Sequence, residues 1–137
     1  MRPERTMAEP AGSRRHYRFA DTHFHRTVAH AGDGEILTCR VEAAASLGAA
    51  NFLDLTILPP GTSIGVHTHG PADEEIYVVV SGEGTMRLED EEFTVVPGDV
   101  IVNRRRGTHG LANTGTEPIR LVVVEIAAPS LGEASCP

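Results

Sequence analysis

His67 and His69 stand one residue apart, with Glu75 shortly after them and His109 well downstream. Side chains two residues apart on an extended strand point to the same side, so His67-Thr68-His69 aims two imidazoles at one spot. A carboxylate and a third imidazole complete a donor set of three nitrogens and one oxygen. Such a set suits iron(II), manganese, nickel, cobalt or zinc and leaves coordination positions for water or substrate. A structural zinc site would be closed and richer in cysteine. Neutral imidazole is the binding form, so metal affinity is expected to fall as pH drops through the histidine range, near ~6–7.

The pattern extends beyond the donors. Five residues separate Gly61 from His67, five separate His69 from Glu75, and six separate Glu75 from Gly82. Downstream, ten residues separate Gly98 from His109 and three separate His109 from Asn113. These stretches resemble the two signature motifs of the cupin superfamily, and the resemblance covers roughly residues 36–126. It implies a small antiparallel β-barrel of jelly-roll type, with one divalent metal held inside by His67, His69, Glu75 and His109. The gap from His69 to Glu75 is one residue longer than is usual in the family. Glu74 would restore that gap but break the one to Gly82. Glu75 also shares a strand face with Tyr77 and Val79, so it is the preferred ligand. In the second motif Arg104 stands where the family usually has proline and Arg106 where it has glycine. Gly107, one place later, is expected to supply the flexible turn instead.

Several side chains are candidates to work beside such a metal. Tyr77 should enter the same cavity as Glu75 and serve as acid, base or hydrogen-bond donor, unless it is simply a core tyrosine. Arg104-Arg105-Arg106 precedes His109 in a loop at the mouth. Guanidinium forks hold carboxylates and phosphates well, so Arg104 and Arg106 are candidate clamps for an anionic substrate; a solvated loop is the plainer alternative. Arg40, on an early strand, is a third candidate if it faces inward. A second His-x-His, His23-Phe24-His25, has Asp21 before it and His30 after it. It reads either as a second metal site or substrate-facing edge, or as a polar strand face at the barrel rim.

The elements that must position these residues follow from the punctuation of the chain. Strand patterns run over 35–43, 51–58, 63–68, 76–81, 84–89, 92–96, 100–103, 107–113 and 120–126, separated by turn formers such as Pro59-Pro60-Gly61 and Pro97-Gly98-Asp99. Many short strands without a long helical period mean an all-β sandwich or barrel. The segment from Tyr17 to His30 reads as one irregular edge strand, and 43–50 as a loop. Residues 1–16 are expected to form a mobile arm, 17–126 the barrel and 127–137 a loose tail. The acidic run Glu89–Glu92 reads as a solvated hairpin turn that discourages edge-to-edge aggregation.

Composition narrows the classes. The 137 residues suit one domain with a core of its own. A net charge of −7 argues against nucleic-acid binding. All twelve basic residues are arginine, which excludes Schiff-base chemistry on a lysine. Two distant cysteines, Cys39 and Cys136, make no disulfide framework, and no segment reads as a signal peptide or membrane span. A cytoplasmic protein without membrane partners is the expectation.

The leading functional expectation is a metal-dependent enzyme acting on a small oxygen-rich or anionic metabolite by isomerisation, enolisation or cyclisation. The resemblance supports that class only by analogy. A non-haem iron dioxygenase uses the same ligands, and a non-catalytic metabolite- or sugar-binding module is a further alternative. Small cupins commonly pair, so a homodimer is expected, with the Tyr17–His30 segment covering a sheet edge.

Overall fold

A computed structural model describes residues 14–41 and 50–128. The described residues form ten strands and no helix: β1 (His25–Thr27), β2 (Ile36–Arg40), β3 (Ala50–Leu58), β4 (Ser63–Thr68), β5 (Asp73–Ser81), β6 (Gly84–Leu88), β7 (Glu91–Val95), β8 (Val100–Asn103), β9 (Thr108–Ala112) and β10 (Ile119–Ala127). Most of the arm, the 43–50 segment that the sequence marks as a loop except for Ala50, which begins β3, and nearly all of the tail lie outside the described residues.

Two antiparallel sheets face each other. One has the order β1-β2-β3-β10-β5-β8 and the other β4-β9-β6-β7. Crossovers of this kind, with non-consecutive neighbours in both sheets, make the all-β jelly-roll barrel. The strands are close to those expected, with two differences. Only three residues of the 17–30 segment pair as a strand, because Gly32 and Gly34 turn the chain before a longer ladder can form. β5 begins three residues earlier than the apolar run suggests, because Asp73, Glu74 and Glu75 pair along β10 although they are acidic.

The interior is layered. Along β5 the inward positions are Glu75, Tyr77 and Val79, all buried. Glu75 pairs with Asn103 and Tyr77 with Ile101 across β5–β8. In the other sheet His67 pairs with His109 and Ile64 with Leu111. The polar side chains therefore form one layer, and Tyr77, Ile101, Ile64 and Leu111 begin the apolar one. Leu58, Met86, Val95, Ile119 and Leu121 continue it and are fully buried. Aliphatic packing at one end leaves the other end free for chemistry.

One irregularity in β4 makes this layering possible. Ile64 and His67 are three residues apart, yet they oppose Leu111 and His109, which are two apart. A β-bulge at Gly65-Val66 absorbs the extra residue and turns His67 inward, leaving Val66 exposed.

The turns meet the motif glycines with one correction. Gly61, Gly82 and Gly98 all take positive φ. At the second motif, Arg106 itself occupies the left-handed region (φ 60°), and Gly107 does not. Gly107 is needed for space, because a Cβ there would crowd Glu89 Oε1 and Arg104 O. A side chain at left-handed φ costs about 1–2 kcal/mol, part of which glycine returns through its floppier unfolded chain. Arg106→Gly is therefore expected to raise stability by about 0.5–1 kcal/mol, read as a higher midpoint in urea unfolding.

Candidate metal centre

Three strands bring the predicted donors together. His67 comes from the bulged end of β4, His69 from just beyond it, Glu75 from β5 and His109 from β9. One ligand atom from each lies within 4.8 Å of the others. His67 Nε2 is 3.2 Å from His69 Nε2, and Glu75 Oε1 is 3.3 Å from His109 Nε2 and 3.7 Å from His69 Nε2. Glu74 points the other way, and its carboxylate accepts from Arg105 N–H at 3.4 Å. Neighbouring residues on a strand cannot share a face, so only Glu75 reaches the cluster.

The surroundings fit a cation. His67 Nδ1–H donates to Gly65 O at 2.7 Å, which leaves Nε2 as the lone-pair nitrogen facing the cluster. His69 is fixed through its backbone N–H, which donates to Gly107 O at 3.0 Å. His109 is fully buried, and its Nδ1, like both polar atoms of Asn103, has no protein hydrogen-bond partner. A buried layer with this many unneutralised donors and acceptors suits a charged, polar occupant far better than an apolar one.

Burial pushes the His67 pKa from its ordinary 6.5 to about 4, and the neighbouring imidazoles push the same way; the Gly65 carbonyl opposes them. Burial alone would raise the Glu75 pKa. The His109 hydrogen bond, His69 and the Tyr77 hydroxyl outweigh it and hold the carboxyl below its usual range. Near neutral pH the centre thus offers a neutral His67 and an ionised Glu75. Tyr77 is pushed well above the usual phenol range by burial first and then by the Glu75 charge, so it keeps its proton. Its ring stands edge-on to His109, with centroids 5.5 Å apart.

The linkage sign is definite for the metal-free protein. His67 binds its proton more weakly folded than unfolded, so its contribution is intact above pH 6.5 and is lost as pH falls from 6.5 toward 4. Glu75 acts in the same direction at lower pH, where protonation removes an ion that the fold stabilises. The melting temperature of chelator-treated protein is expected to fall over that interval, and His67→Phe should flatten the upper part of the decline. Thermal melts from pH 7.5 to pH 4 check it.

A cavity of about 430 Å³ opens beside the cluster, lined by His69, Glu75 and Tyr77 together with side chains of β1, β2, β3 and β10. Arg40 lines it but is engaged: its Nε and Nη2 donate to Asp54 at 2.9 and 3.0 Å, and its guanidinium lies 4.2 Å from the Phe52 ring centre. Arg104 and Arg106 are exposed on the β8–β9 loop and are not among the cavity-lining side chains. Of the second His-x-His group, His25 lines the cavity and His30 stacks on His67; His25 and His30 join no second metal-binding cluster among the described residues.

Asp54 and Glu125 also line the cavity, and the sequence reading passed over both. Burial first, then Asp73 and Glu75, raise the Glu125 pKa. Both had a visible signal. Asp54 and Thr56 alternate with leucines in Asn51–Leu58, and Glu125 interrupts the aliphatic run from Leu121 to Ile126 in β10. Asn113, part of the second motif, is structural: its Nδ2 donates to Leu58 O and Glu117 O, both at 2.8 Å.

The cupin domain family matches residues 54–125. The chain belongs to that family. Among cupins, it is 33% identical over 69 residues to an oxalate-binding protein of Thermotoga maritima, covering 50% of this chain and 56% of that one. It is 31% identical over 90 residues to an uncharacterized protein of Methanocaldococcus jannaschii, covering 66% of this chain and 71% of that one. The crystal structure of a predicted oxalate decarboxylase from Thermotoga maritima superposes with TM-score 0.75 at 26% identity, over 81% of this chain and 97% of that one. A sugar phosphate isomerase of the cupin superfamily from Silicibacter pomeroyi shares the fold, with TM-score 0.60 at 22% identity over 69% of this chain and 60% of that one.

Proposed function

We propose that this cupin binds one divalent transition metal through His67, His69, Glu75 and His109 and acts as a metal-dependent enzyme on a small, oxygen-rich carboxylate. The observation that carries the reading is the convergence of the four donors beside a cavity of about 430 Å³, which His69 and Glu75 line, a size suited to a small metabolite. A bound ion would supply Lewis acidity at a coordination position that the four side chains leave open.

The chain's own residues supply the rest. Tyr77 holds its proton beside Glu75 and orients that carboxylate as a hydrogen-bond donor. Arg40 has five N–H donors, and the Asp54 pairing uses two of them, so its fork can still meet an incoming carboxylate. Arg104 and Arg106, on the loop that leads to His109, add positive charge that draws anions toward the mouth. Ile36, Phe52 and Val123 line the cavity with apolar surface and limit water. Glu125, whose pKa is raised, is placed for proton transfer of the kind that isomerisation or enolisation needs.

Similarity to an oxalate-binding protein favours one second reading, a binding module without turnover. The two separate in a single experiment. Manganese-loaded protein is titrated with oxalate in a calorimeter, and the mixture is then assayed for oxalate consumption. Binding with consumption supports the enzyme, and binding without it supports the module. Binding that survives a chelator would remove the metal from both. With iron loaded, oxygen uptake marks the dioxygenase alternative.

A homodimer is also proposed. The outer face of the six-stranded sheet pairs Val78 with Val100 and Ile76 with Val102. Val80, Val100 and Val102 are 46%, 61% and 48% exposed. A second copy of the same face would cover them.

A further inference from the structure

The turn after β1 is held in an unfavourable shape by close backbone contact. His30 and Ala31 both take left-handed angles (φ 50° and 54°), which residues with side chains adopt reluctantly. Gly65 N–H donates to Ala29 O at 3.0 Å, and Gly32 N–H donates to the same carbonyl at 2.9 Å. Ala29 also forms a parallel bridge with Ile64. The two segments can approach this closely because glycine stands on both sides of the crossing. A Cβ on Gly65 would collide with His30 O, and one on Gly32 would collide with Ser63 O.

The strain fixes one side chain. The His30 imidazole lies flat on His67, with centroids 3.5 Å apart and planes 4° from parallel. It lines the same cavity as Glu75 and Tyr77. The four-donor cluster is complete without it. Because the rings are parallel, the His30 nitrogens lie in a plane one ring thickness off the His67 donor. His30 thus borders the cavity beside the cluster without being one of its four donors.

We propose that His30 is a substrate-binding residue, whose ring N–H donates to a small carboxylate held at the four-donor cluster and so sets preference for an anionic ligand. The proposal rests on the metal-and-carboxylate reading given above. Nothing in the cupin motifs themselves calls for this histidine, which comes from the turn after β1, ahead of the matched region. Strain of this kind is kept where it positions a group for function. A merely packing ring could have been supplied without two successive left-handed residues.

The test uses manganese-loaded protein and oxalate, read by calorimetry beside elemental analysis. His30→Phe keeps a flat ring and loses the donor. His30→Gly relieves the backbone strain and loses the ring. His30→Asn keeps an N–H donor and tolerates left-handed φ. The expected result is full metal content in all three, with oxalate affinity about tenfold lower for Phe and Gly and largely recovered for Asn. Wild-type oxalate affinity in both His30→Phe and His30→Gly overturns the proposal, because His30 would then only pack. Loss of metal in both also overturns it, because His30 would then act through His67. Wild-type protein that loads manganese and binds no oxalate overturns both this role and the ligand class. Wild-type protein that loads no manganese overturns the metal reading itself.

Discussion

His67→Ala is expected to lose the metal. The donor set has three imidazoles and one carboxylate, and no fifth His, Cys, Asp or Glu joins the cluster among the described residues. Removing one donor therefore leaves a three-ligand site without a replacement. Losing only the hydrogen-bond partner of a ligand costs about 10–100-fold in metal affinity, so losing the ligand should cost more than about 100-fold. Elemental analysis after gel filtration should show near-stoichiometric metal in the wild type and background in the variant. His109→Ala should do the same, with an added effect on folding. His109 is fully buried, and its removal strips the buried Glu75 carboxylate of its nearest partner; breaking a buried charged contact in this way is strongly destabilising. His67→Ala is the cleaner probe of binding, because His67 is only partly buried. Thr68→Ala is the control. Thr68 is exposed, faces away, and bonds Thr108 Oγ1 at 2.7 Å, so metal should remain. If both histidine variants kept full metal, the centre would lie elsewhere.

What the sequence made legible was whatever period-two alternation controls. His67 with His69, and Glu75 with Tyr77, share faces because residues two apart on a strand do, and the turn formers marked most strand ends to within a few residues. The rest depended on departures from alternation or on long-range packing. His67 and Ile64 both face the interior only through the bulge at Gly65-Val66. A glycine inside a strand pattern is the local sign of a bulge, but its position in the ladder depends on which strand pairs with β4. Gly107 looked like the flexible residue of the second motif, and Arg106 took the left-handed position instead. A glycine demanded by space cannot be told from one demanded by φ until its neighbours are known, and here one of them is Glu89, from a distant hairpin. His30 was visible only as a histidine near a polar edge. Its contact with His67 arises from an isolated bridge to β4 that no periodicity encodes. Asp54 and Glu125 show the complementary failure: acids in aliphatic strands point to a polar cavity, and the apolar majority around them hid the signal.

Gly65→Ala is expected to be the most damaging single-methyl change in this region, for two reasons that act at one residue. First, the added Cβ would run into the His30 carbonyl, and that contact is backbone against backbone, so no side chain can swing aside. The turn at 29–32 must move away, and the Gly65 N–H bond to Ala29 O that crosses to it is lost. Second, Gly65 O accepts the His67 Nδ1 proton at 2.7 Å, so a shift at residue 65 tilts the imidazole that should present Nε2 to the metal. Overpacking in a tight contact costs about 1–3 kcal/mol, and loss of the attached turn places this case at the upper end, about 3 kcal/mol. Gly61→Ala supplies the comparison. Gly61 has positive φ (81°) and nothing within 4 Å of an added Cβ, so only backbone strain opposes the change, about 1–2 kcal/mol. Urea unfolding of chelator-treated protein should rank Gly65→Ala clearly below Gly61→Ala in stability. Only the Gly65 variant should also lose manganese affinity when the folded fraction is loaded. Equal destabilisation by the two changes, with metal affinity intact in both, would mean that the crossing of the β1 turn over β4 is looser than its geometry indicates and that His30 is not held over the cluster by it.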